Sequence, residues 1–194
     1  VKNIPDDEMA LLLYTSGTSA RPKGVILTAK NLMSNVLQVK EWINITTKDC
    51  MLGVLPQFHS MGMTVLTLMP LAVGCRIVYS ARFLPKKLLE LARKHRPTAF
   101  VAIPSMYNAI RAVKGAGKDD LSSLRFACAG GEPLTDAISQ GFEDVFGVRI
   151  AEGYGLTETA PVANWCRPDE FRPHSAGRCL RGIEERIVDE NGNI

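Results

Sequence analysis

The chain has 194 residues, 46% hydrophobic and 22% charged, which is enough apolar sequence for one globular domain with a packed core. Its net charge of +3 is small and its cations are scattered, which argues against a nucleic-acid or membrane-surface partner. No secretory signal opens the chain, and its longest apolar stretch, residues 61–73, is too short to cross a bilayer. The five cysteines show no CxxC pair and no metal spacing, so we expect reduced thiols in a cytoplasmic protein.

Apolar runs predict an α/β domain in which strands and helices alternate and the sheet is largely parallel. A buried strand at 9–13 and a short strand at 25–27 flank a polar loop, and Thr28 is the expected N-cap of a helix reaching residue 43. Further strands are predicted at 51–55, 75–79, 99–103, 125–129, 148–152 and 183–189. Further helices are predicted at 61–73, 84–95, 104–113 and 134–146. Residues 114–120 are expected to be a surface loop, and Asn191-Gly192 is a strong turn signal.

The polar loop, residues 14–24 with the sequence YTSGTSARPKG, carries the most chemical character. Its hydroxyls, backbone N–H groups and Lys23 are what a polyphosphate needs. The common phosphate loop ends in Gly-Lys-Ser/Thr, whereas the order here is Pro-Lys-Gly. On local chemistry alone, a polar hairpin turn remains the alternative interpretation.

Three more unusual stretches lie near the ends of predicted strands: PQFHSMG at 56–62, GGEPL at 130–134 and EGYGLTET at 152–159. Ligands of parallel sheets bind beyond the carboxyl ends of the strands, so the joint position of these stretches indicates one site. The last stretch offers a ring, a hydroxyl and a carboxylate, which suit a nucleotide with Mg²⁺. Plainer interpretations are a helix N-cap at Thr157, a helix opened by Pro133 and a structural His59.

Together these stretches resemble the signature motifs of the adenylate-forming enzymes, which include acyl- and aryl-CoA synthetases, luciferases and the adenylation domains of peptide synthetases. Residues 15–24 are similar to Thr-Ser-Gly-Thr-Thr-Gly-x-Pro-Lys-Gly, with Ser19 and Ala20 as the two departures. Residues 154–158 are similar to Tyr-Gly-x-Thr-Glu, and residues 56–59 to the Pro-x-Phe-His of acyl- and aryl-CoA synthetases.

The resemblance implies ATP, Mg²⁺ and coenzyme A as ligands, with the phosphopantetheine of an acyl carrier protein as an alternative acceptor. It implies catalytic roles for Lys23, His59, Thr157 and Glu158, and a magnesium site at Thr18 and Glu158. In the family pattern, the tyrosine at position 154 packs on adenine. The nucleotide-binding residues that it implies are Thr15, Ser16, Gly17, Thr18, Ser19, Lys23, Gly131, Glu132, Gly153, Tyr154, Gly155 and Thr157.

The implied activity is a two-step activation of a carboxylic acid, with a fatty acid as the expected class. The acid and ATP give an acyl-adenylate and pyrophosphate, and a thiol then attacks the acyl carbon. An amino acid substrate is disfavoured, because no Asp stands between Met51 and Arg76 to pair with a buried ammonium. A run of apolar residues after His59 either lines an acyl tunnel or belongs to the hydrophobic core, and the core is the more common role of such residues. These residues are Met61, Met63, Val65, Leu66 and Leu68.

Two other functions stay open: an enzyme that loads an acyl carrier protein, and an inactive ATP-binding fragment, which Ala20 slightly favours. The resemblance covers residues 1–194 as the central part of the AMP-binding N-terminal domain. The upstream part of that domain, the family's ribose-binding Asp and its C-terminal lid with a catalytic Lys have no counterpart here. We therefore expect a truncated piece of a longer protein, with little activity alone.

Overall fold

In the computed structural model, residues 5–15 and 21–193 are described, and they form two sheets flanked by helices. An antiparallel hairpin consists of β1 (Met9–Thr15) and β2 (Lys23–Thr28). The main sheet contains β3 (Cys50–Gly53), β4 (Arg76–Tyr79), β5 (Ala99–Ala102), β6 (Phe126–Ala129), β7 (Ala151–Gly155), β8 (Val162–Trp165) and β9 (Arg178–Cys179). The helices are α1 (Ala29–Trp42), α2 (residues 60–73), α3 (Pro85–His95), α4 (Pro104–Arg111), α5 (Lys118–Leu121) and α6 (Asp136–Phe146).

The main sheet has the strand order β4-β3-β5-β6-β7-β8-β9. The five strands from β4 to β7 are parallel, whereas β8 and β9 are added in the antiparallel sense. Helices α1 and α2 pack on one face, and α3, α4 and α6 pack on the other. Because both faces are covered, every residue of β3, β5 and β6 is buried. The predicted α/β class with a largely parallel sheet is confirmed.

Helix α1 starts at the predicted cap. The Thr28 hydroxyl accepts the Asn31 N–H at 3.1 Å, and the Asn31 side-chain oxygen accepts the Thr28 N–H at 2.9 Å, which completes a capping box. Helix α2 occupies the predicted range, but its centre, Thr64–Leu68, is a π-helical segment. Such wide turns are often found next to functional sites, and α2 begins beside His59.

Several local predictions are wrong. The strand at 9–13 is not buried, because one face of the hairpin lies on α1 while Leu12 and Tyr14 on the other face are exposed. The strand predicted at 148–152 is β7, three residues later, since Gly147 ends α6 in a left-handed conformation and residues 148–150 form the connection. As a result, Gly153 and Gly155 lie within a strand rather than in the loop after it.

Three more corrections concern element ends. Helix α6 begins at Asp136, so Pro133 precedes the helix rather than opening it. The stretch 114–120 is not all surface loop, because α5 starts at Lys118 and its buried Asp120 pairs with Arg93 at 2.5 Å. Residues 183–189 form no strand in the described part of the chain, although the turn that follows does form, with Gly192 N–H donating to the Asp189 carbonyl at 3.0 Å.

A buried carboxylate ties the amino ends of three parallel strands together. One oxygen of Asp49 accepts the Thr98 hydroxyl at 2.7 Å and the Arg125 Nε at 2.8 Å. The other oxygen accepts the Thr46 N–H at 2.8 Å and the Arg125 Nη2 at 3.0 Å. Burial alone would raise the pKa of Asp49, but these hydrogen bonds and the guanidinium charge outweigh it and hold that pKa well below its ordinary value.

We expect Asp49→Asn to lower the free energy of unfolding by about 2 kcal/mol at neutral pH, because it leaves Arg125 facing a neutral group. A carboxyl with a lower pKa in the folded state stabilises the fold above its unfolded pKa, and this contribution is lost as the pH falls towards the folded pKa. Urea denaturation should therefore find a constant difference from wild type above about pH 5, shrinking below about pH 4. The exposed Asp7 supplies the control Asp7→Asn, and equal losses in both variants would contradict the assignment.

Candidate active site

The carboxyl ends of β3, β6 and β7 border a cleft of about 490 Å³. This is the edge of a parallel sheet where ligands usually bind. All four chemically unusual stretches of the sequence contribute to its walls. The lining residues are Thr15, Lys23, His59, Ser60, Met61, Gly131, Gly155, Leu156, Thr157, Glu158 and Pro161.

Thr15 and Lys23 reach the cleft from the connected end of the hairpin, where they are paired across β1 and β2. The two interpretations of residues 14–24 are therefore compatible, since a hairpin exists and its end faces the cleft. The Lys23 side chain is exposed, so its ammonium is available to an anion entering from solvent. The predicted site residues Ser16, Gly17, Thr18 and Ser19, together with Ala20, lie outside the described residues.

Residues 156–161 form a closed turn that carries Thr157 and Glu158. The Leu156 N–H donates to the Pro161 carbonyl at 3.0 Å, and the Ala160 N–H donates to the Thr157 carbonyl at 3.2 Å. Thr157 is not an N-cap, because the side chain that caps this turn is that of Thr159, whose hydroxyl accepts the Leu156 N–H at 2.9 Å. The Thr157 hydroxyl and the exposed Glu158 carboxylate both border the cleft.

His59 combines a structural and a potential functional role. Its Nδ1 accepts the Met61 N–H at 3.4 Å and so caps the first turn of α2. In the neutral imidazole the proton then lies on Nε2, which is a donor for a ligand. The ring is exposed and borders the cleft beside Ser60, whose side chain is buried.

The GGEPL stretch contributes one of its two predicted residues to the cleft. Gly131 borders it with a φ of +82°, a left-handed conformation that favours glycine. Glu132 does not line the cleft, because its carboxylate accepts the Ser105 N–H at 3.2 Å and the Ser105 hydroxyl at 3.3 Å. Since Ser105 lies in the first turn of α4, Glu132 fastens this loop to a helix N-terminus.

Gly153 and Tyr154 also lie outside the cleft lining. They border a small apolar void of about 10 Å³ directly behind Met61, which lines both spaces. A Cβ on Gly153 would lie 3.3 Å from the Cys128 sulfur, so the glycine permits close packing of β7 on β6. The Tyr154 ring is half exposed.

Sequence reasoning missed three lining residues, Ser60, Leu156 and Pro161, and it named Met61 only as a tunnel or core residue. The sequence did contain a signal for a turn here, because Pro161 shortly after Thr157-Glu158 limits how the chain can return into β8. The remaining α2 candidates are largely core: Val65 and Leu66 are fully buried, and Leu68 packs against the same core cluster.

The polar groups in the cleft suit a nucleoside triphosphate with a divalent cation. It offers one ammonium, the hydroxyls of Thr15 and Thr157, one imidazole and one carboxylate. Residues 5–15 and 21–193 contain no cluster of three or more His, Cys, Asp or Glu side chains that could hold a metal. Mg²⁺ in phosphate-binding sites commonly takes only one or two protein carboxylates, the rest of its shell being phosphate and water. Glu158 fits that pattern.

A groove of similar volume runs along α6, but no predicted site residue lines it. Four of its five ionisable groups are paired with each other, Arg149 with Glu143 at 3.3 Å and His174 with Asp136 at 3.4 Å, and Glu152 is the fifth. The cleft at the sheet edge is therefore the stronger candidate. No helix within residues 5–15 and 21–193 has both the length and the hydropathy of a membrane span.

An α/β domain with a polar cleft at the carboxyl edge of its sheet belongs to the class of proteins that bind small ligands at that edge. The model of the AMP-binding enzyme family matches residues 1–194, so the chain belongs to that family. The long-chain-fatty-acid–CoA ligase of Bacillus subtilis (strain 168) is 33% identical over 162 residues, covering 82% of this chain and 29% of that protein. The 4-coumarate–CoA ligase 1 of Oryza sativa subsp. japonica is 32% identical over 195 residues, covering 95% of this chain and 34% of that protein.

Solved structures agree with the sequence relatives. The crystal structure of ATP-bound MatB from Rhodopseudomonas palustris matches with a TM-score of 0.91 at 29% identity, covering 99% of this chain and 38% of that one. The chain thus spans about a third of the length of the proteins it matches. It corresponds to one part of the proteins in this family of acid–thiol ligases.

Proposed function

We propose that the cleft binds ATP with Mg²⁺, and that the protein containing this chain activates a carboxylic acid as an acyl-adenylate before transferring it to coenzyme A. The observation that carries the proposal is the convergence of Lys23, His59, Thr157 and Glu158 in one cleft from three separate segments. Membership of a family whose named relatives are CoA ligases supports both the reaction class and the thiol acceptor.

In the first step, a carboxylate oxygen of the acid attacks the α-phosphorus of ATP, and pyrophosphate leaves. Lys23 neutralises charge on the leaving phosphates, and the Thr157 hydroxyl donates to an α-phosphate oxygen. His59 donates from Nε2 to the acid and holds it beside the phosphate in spite of their like charges. A Mg²⁺ ion held by Glu158, and by Thr18 as the sequence predicts, would neutralise phosphate oxygens.

Other predicted contacts receive different degrees of support. A backbone contact at Gly131 is supported by its place in the cleft, whereas stacking of adenine on Tyr154 is supported only by the half-exposed ring, because Tyr154 does not line the cleft. Direct contacts of Glu132 and Gly153 with the nucleotide have less support, because both residues have structural partners. All five cysteines are free thiols, which is compatible with the predicted cytoplasmic setting.

The space behind the cleft favours a small acid over the long fatty acid that the resemblance suggested. The apolar void beyond Met61 has about 10 Å³, room for roughly one water-sized group. Trp165, which is fully buried, also lines this void. An acyl chain of many carbons that entered this void would have to displace Met61 or Trp165, and we therefore propose a short or compact acid as the substrate.

ATP–pyrophosphate exchange tests this proposal on the intact protein, with any sequence that flanks these 194 residues. A panel should run from acetate to palmitate and include benzoate, 4-coumarate and amino acids. We expect exchange with the short acids, and Met61→Ala should extend it to longer chains by about tenfold in kcat/KM, roughly the value of two buried methylene groups. Met63→Ala is the matched control, since Met63 is also half-buried but borders neither space.

The outcomes separate the parts of the proposal. Palmitate as the best wild-type substrate would overturn the size limit while leaving adenylation intact. Exchange with amino acids would contradict the argument from His59 and the missing Asp. No exchange with any acid would overturn the activity itself, and the inactive ATP-binding alternative would take its place.

A further inference from the structure

Asn35 is a buried amide in the middle of α1 whose hydrogen bonds go to the strand that leaves the cleft. Its Nδ2 donates to the Val162 carbonyl at 2.7 Å, and its Oδ1 accepts the Val162 N–H at 3.1 Å. The amide therefore pairs with the main chain of Val162 as a neighbouring strand would. Asn35 is only 2% exposed, so these bonds do not compete with water.

Val162 directly follows the closed turn that carries Thr157 and Glu158. The preceding carbonyl, that of Pro161, accepts the Leu156 N–H and a hydrogen bond from the Thr159 hydroxyl. A shift of the Val162 backbone would therefore move the whole turn, because these hydrogen bonds hold residues 156–161 as one unit. The two side chains that face the cleft would move with it.

The N-terminal end of α1 is fixed to the segment that carries Lys23. Helix α1 follows β2 without a linker, and the Thr28 capping box closes the junction. Leu32 of α1 packs in one apolar cluster with Val25 and Leu27 of β2 and with Ala160 of the turn. The helix is thus a rigid bridge between the Lys23 hairpin and the Thr157–Glu158 turn.

We infer that Asn35 is a positioning residue that sets the Thr157–Glu158 turn relative to Lys23 by clamping the main chain of Val162. This inference rests on the proposed function for its catalytic consequence, but its structural consequence is independent of that function. Positioning matters because the proposed chemistry depends on groups from separate segments meeting the same phosphates. Asn35 touches no residue that lines the cleft through its side-chain hydrogen bonds, so it acts through the turn.

The test compares two α1 side chains that hold β8 at opposite ends. Asn35→Leu removes the clamp at Val162, whereas Trp42→Phe removes the bond from the indole N–H to the Trp165 carbonyl, 2.8 Å long, at the far end of the strand. We expect Asn35→Leu to lower kcat for ATP–pyrophosphate exchange by about tenfold and to raise the Mg²⁺ concentration required. Trp42→Phe should change kcat less than about twofold, although it too lowers thermal stability. Asn35→Ser, which keeps one hydrogen-bonding group, serves if the leucine variant does not fold.

A second readout needs no activity. Amide hydrogen exchange at Leu156 and Ala160 should be faster in Asn35→Leu than in Trp42→Phe, because loss of the clamp loosens the turn. A double-mutant cycle completes the test: in a Glu158→Gln background, Asn35→Leu should lower kcat clearly less than in wild type, the remaining loss coming from Thr157. Unchanged exchange in the turn, or fully additive losses in the cycle, would overturn the inference. A wild-type protein without exchange activity but with the expected amide exchange would overturn the proposed function alone.

Discussion

Glu158→Gln is expected to lower the rate of ATP–pyrophosphate exchange by about 100-fold or more, with little effect on stability. Glu158 is the carboxylate of the cleft, and in the described part of the chain it makes no hydrogen bond or ion pair that would hold the fold. Glutamine keeps the shape and one oxygen of the side chain but removes the charge that Mg²⁺ requires. The loss should be greatest at low Mg²⁺ concentration and partly recovered at high concentration.

The measurement is exchange activity as a function of Mg²⁺, with thermal unfolding of the same samples. Glu90→Gln is the matched control, because Glu90 is an exposed carboxylate on α3. Its Oε2 lies 3.1 Å from the Lys87 Nζ in an ion pair on the surface. An exposed pair of this kind contributes little to stability, so the control should behave as wild type. If Glu158→Gln keeps wild-type activity and Mg²⁺ dependence, Glu158 does not hold the metal.

The assembly of the candidate site was predictable because it follows from strand direction. Three of the motif stretches lie near strand ends in the sequence, and parallel strands bring their carboxyl ends to one edge. His59 and Glu158 border the cleft there, and Lys23 reaches it from the separate hairpin, which strand direction in the main sheet does not explain. The roles of these residues are not fixed by their meeting, and they remain predictions until the exchange experiments are done.

The boundaries of β7 were not predictable from hydrophobic pattern. Val148 and Ile150 alternate with polar residues as a strand would, and Ile150 is indeed fully buried. Burial alone does not decide whether a segment pairs with a neighbour, and β7 starts pairing with β6 only at Ala151. The wrong strand boundary placed Gly153 and Gly155 in a loop. In the structure both lie in β7, where glycine is needed for close packing against neighbouring segments.

Contacts between distant segments were equally beyond the sequence. Asn35 looks like an ordinary polar residue on a helix, and Glu132 like a nucleotide contact. Their partners, Val162 and Ser105, are identified only once the chain is folded. Residues whose role is to hold another segment in place carry no local signature, because the group they bind is the backbone, which every residue has.

Gly155→Ala is expected to be the most disruptive single methyl addition in the site. A Cβ at this position would fall far inside contact distance of the Pro161 carbonyl oxygen, 2.8 Å from its carbon and 3.1 Å from the Val162 Cα. These are backbone atoms, so no side-chain rotation can relieve the overlap. The variant should lose about 3 kcal/mol of unfolding free energy, roughly 10 °C in melting temperature. It should also lose most exchange activity, since the turn that carries Glu158 must open.

Gly153→Ala is the matched comparison, because the two glycines flank the same tyrosine. Its Cβ would lie 3.3 Å from the Cys128 sulfur and 3.5 Å from the Asn164 carbonyl oxygen, a tight fit that small shifts of the Cys128 side chain can relieve. We expect it to cost about 1 kcal/mol and to retain most activity. Gly117→Ala, where a Cβ would meet nothing within 4 Å, should be close to wild type. If Gly153→Ala and Gly155→Ala behave alike, close approach of Gly155 to the returning strand is not what shapes the turn.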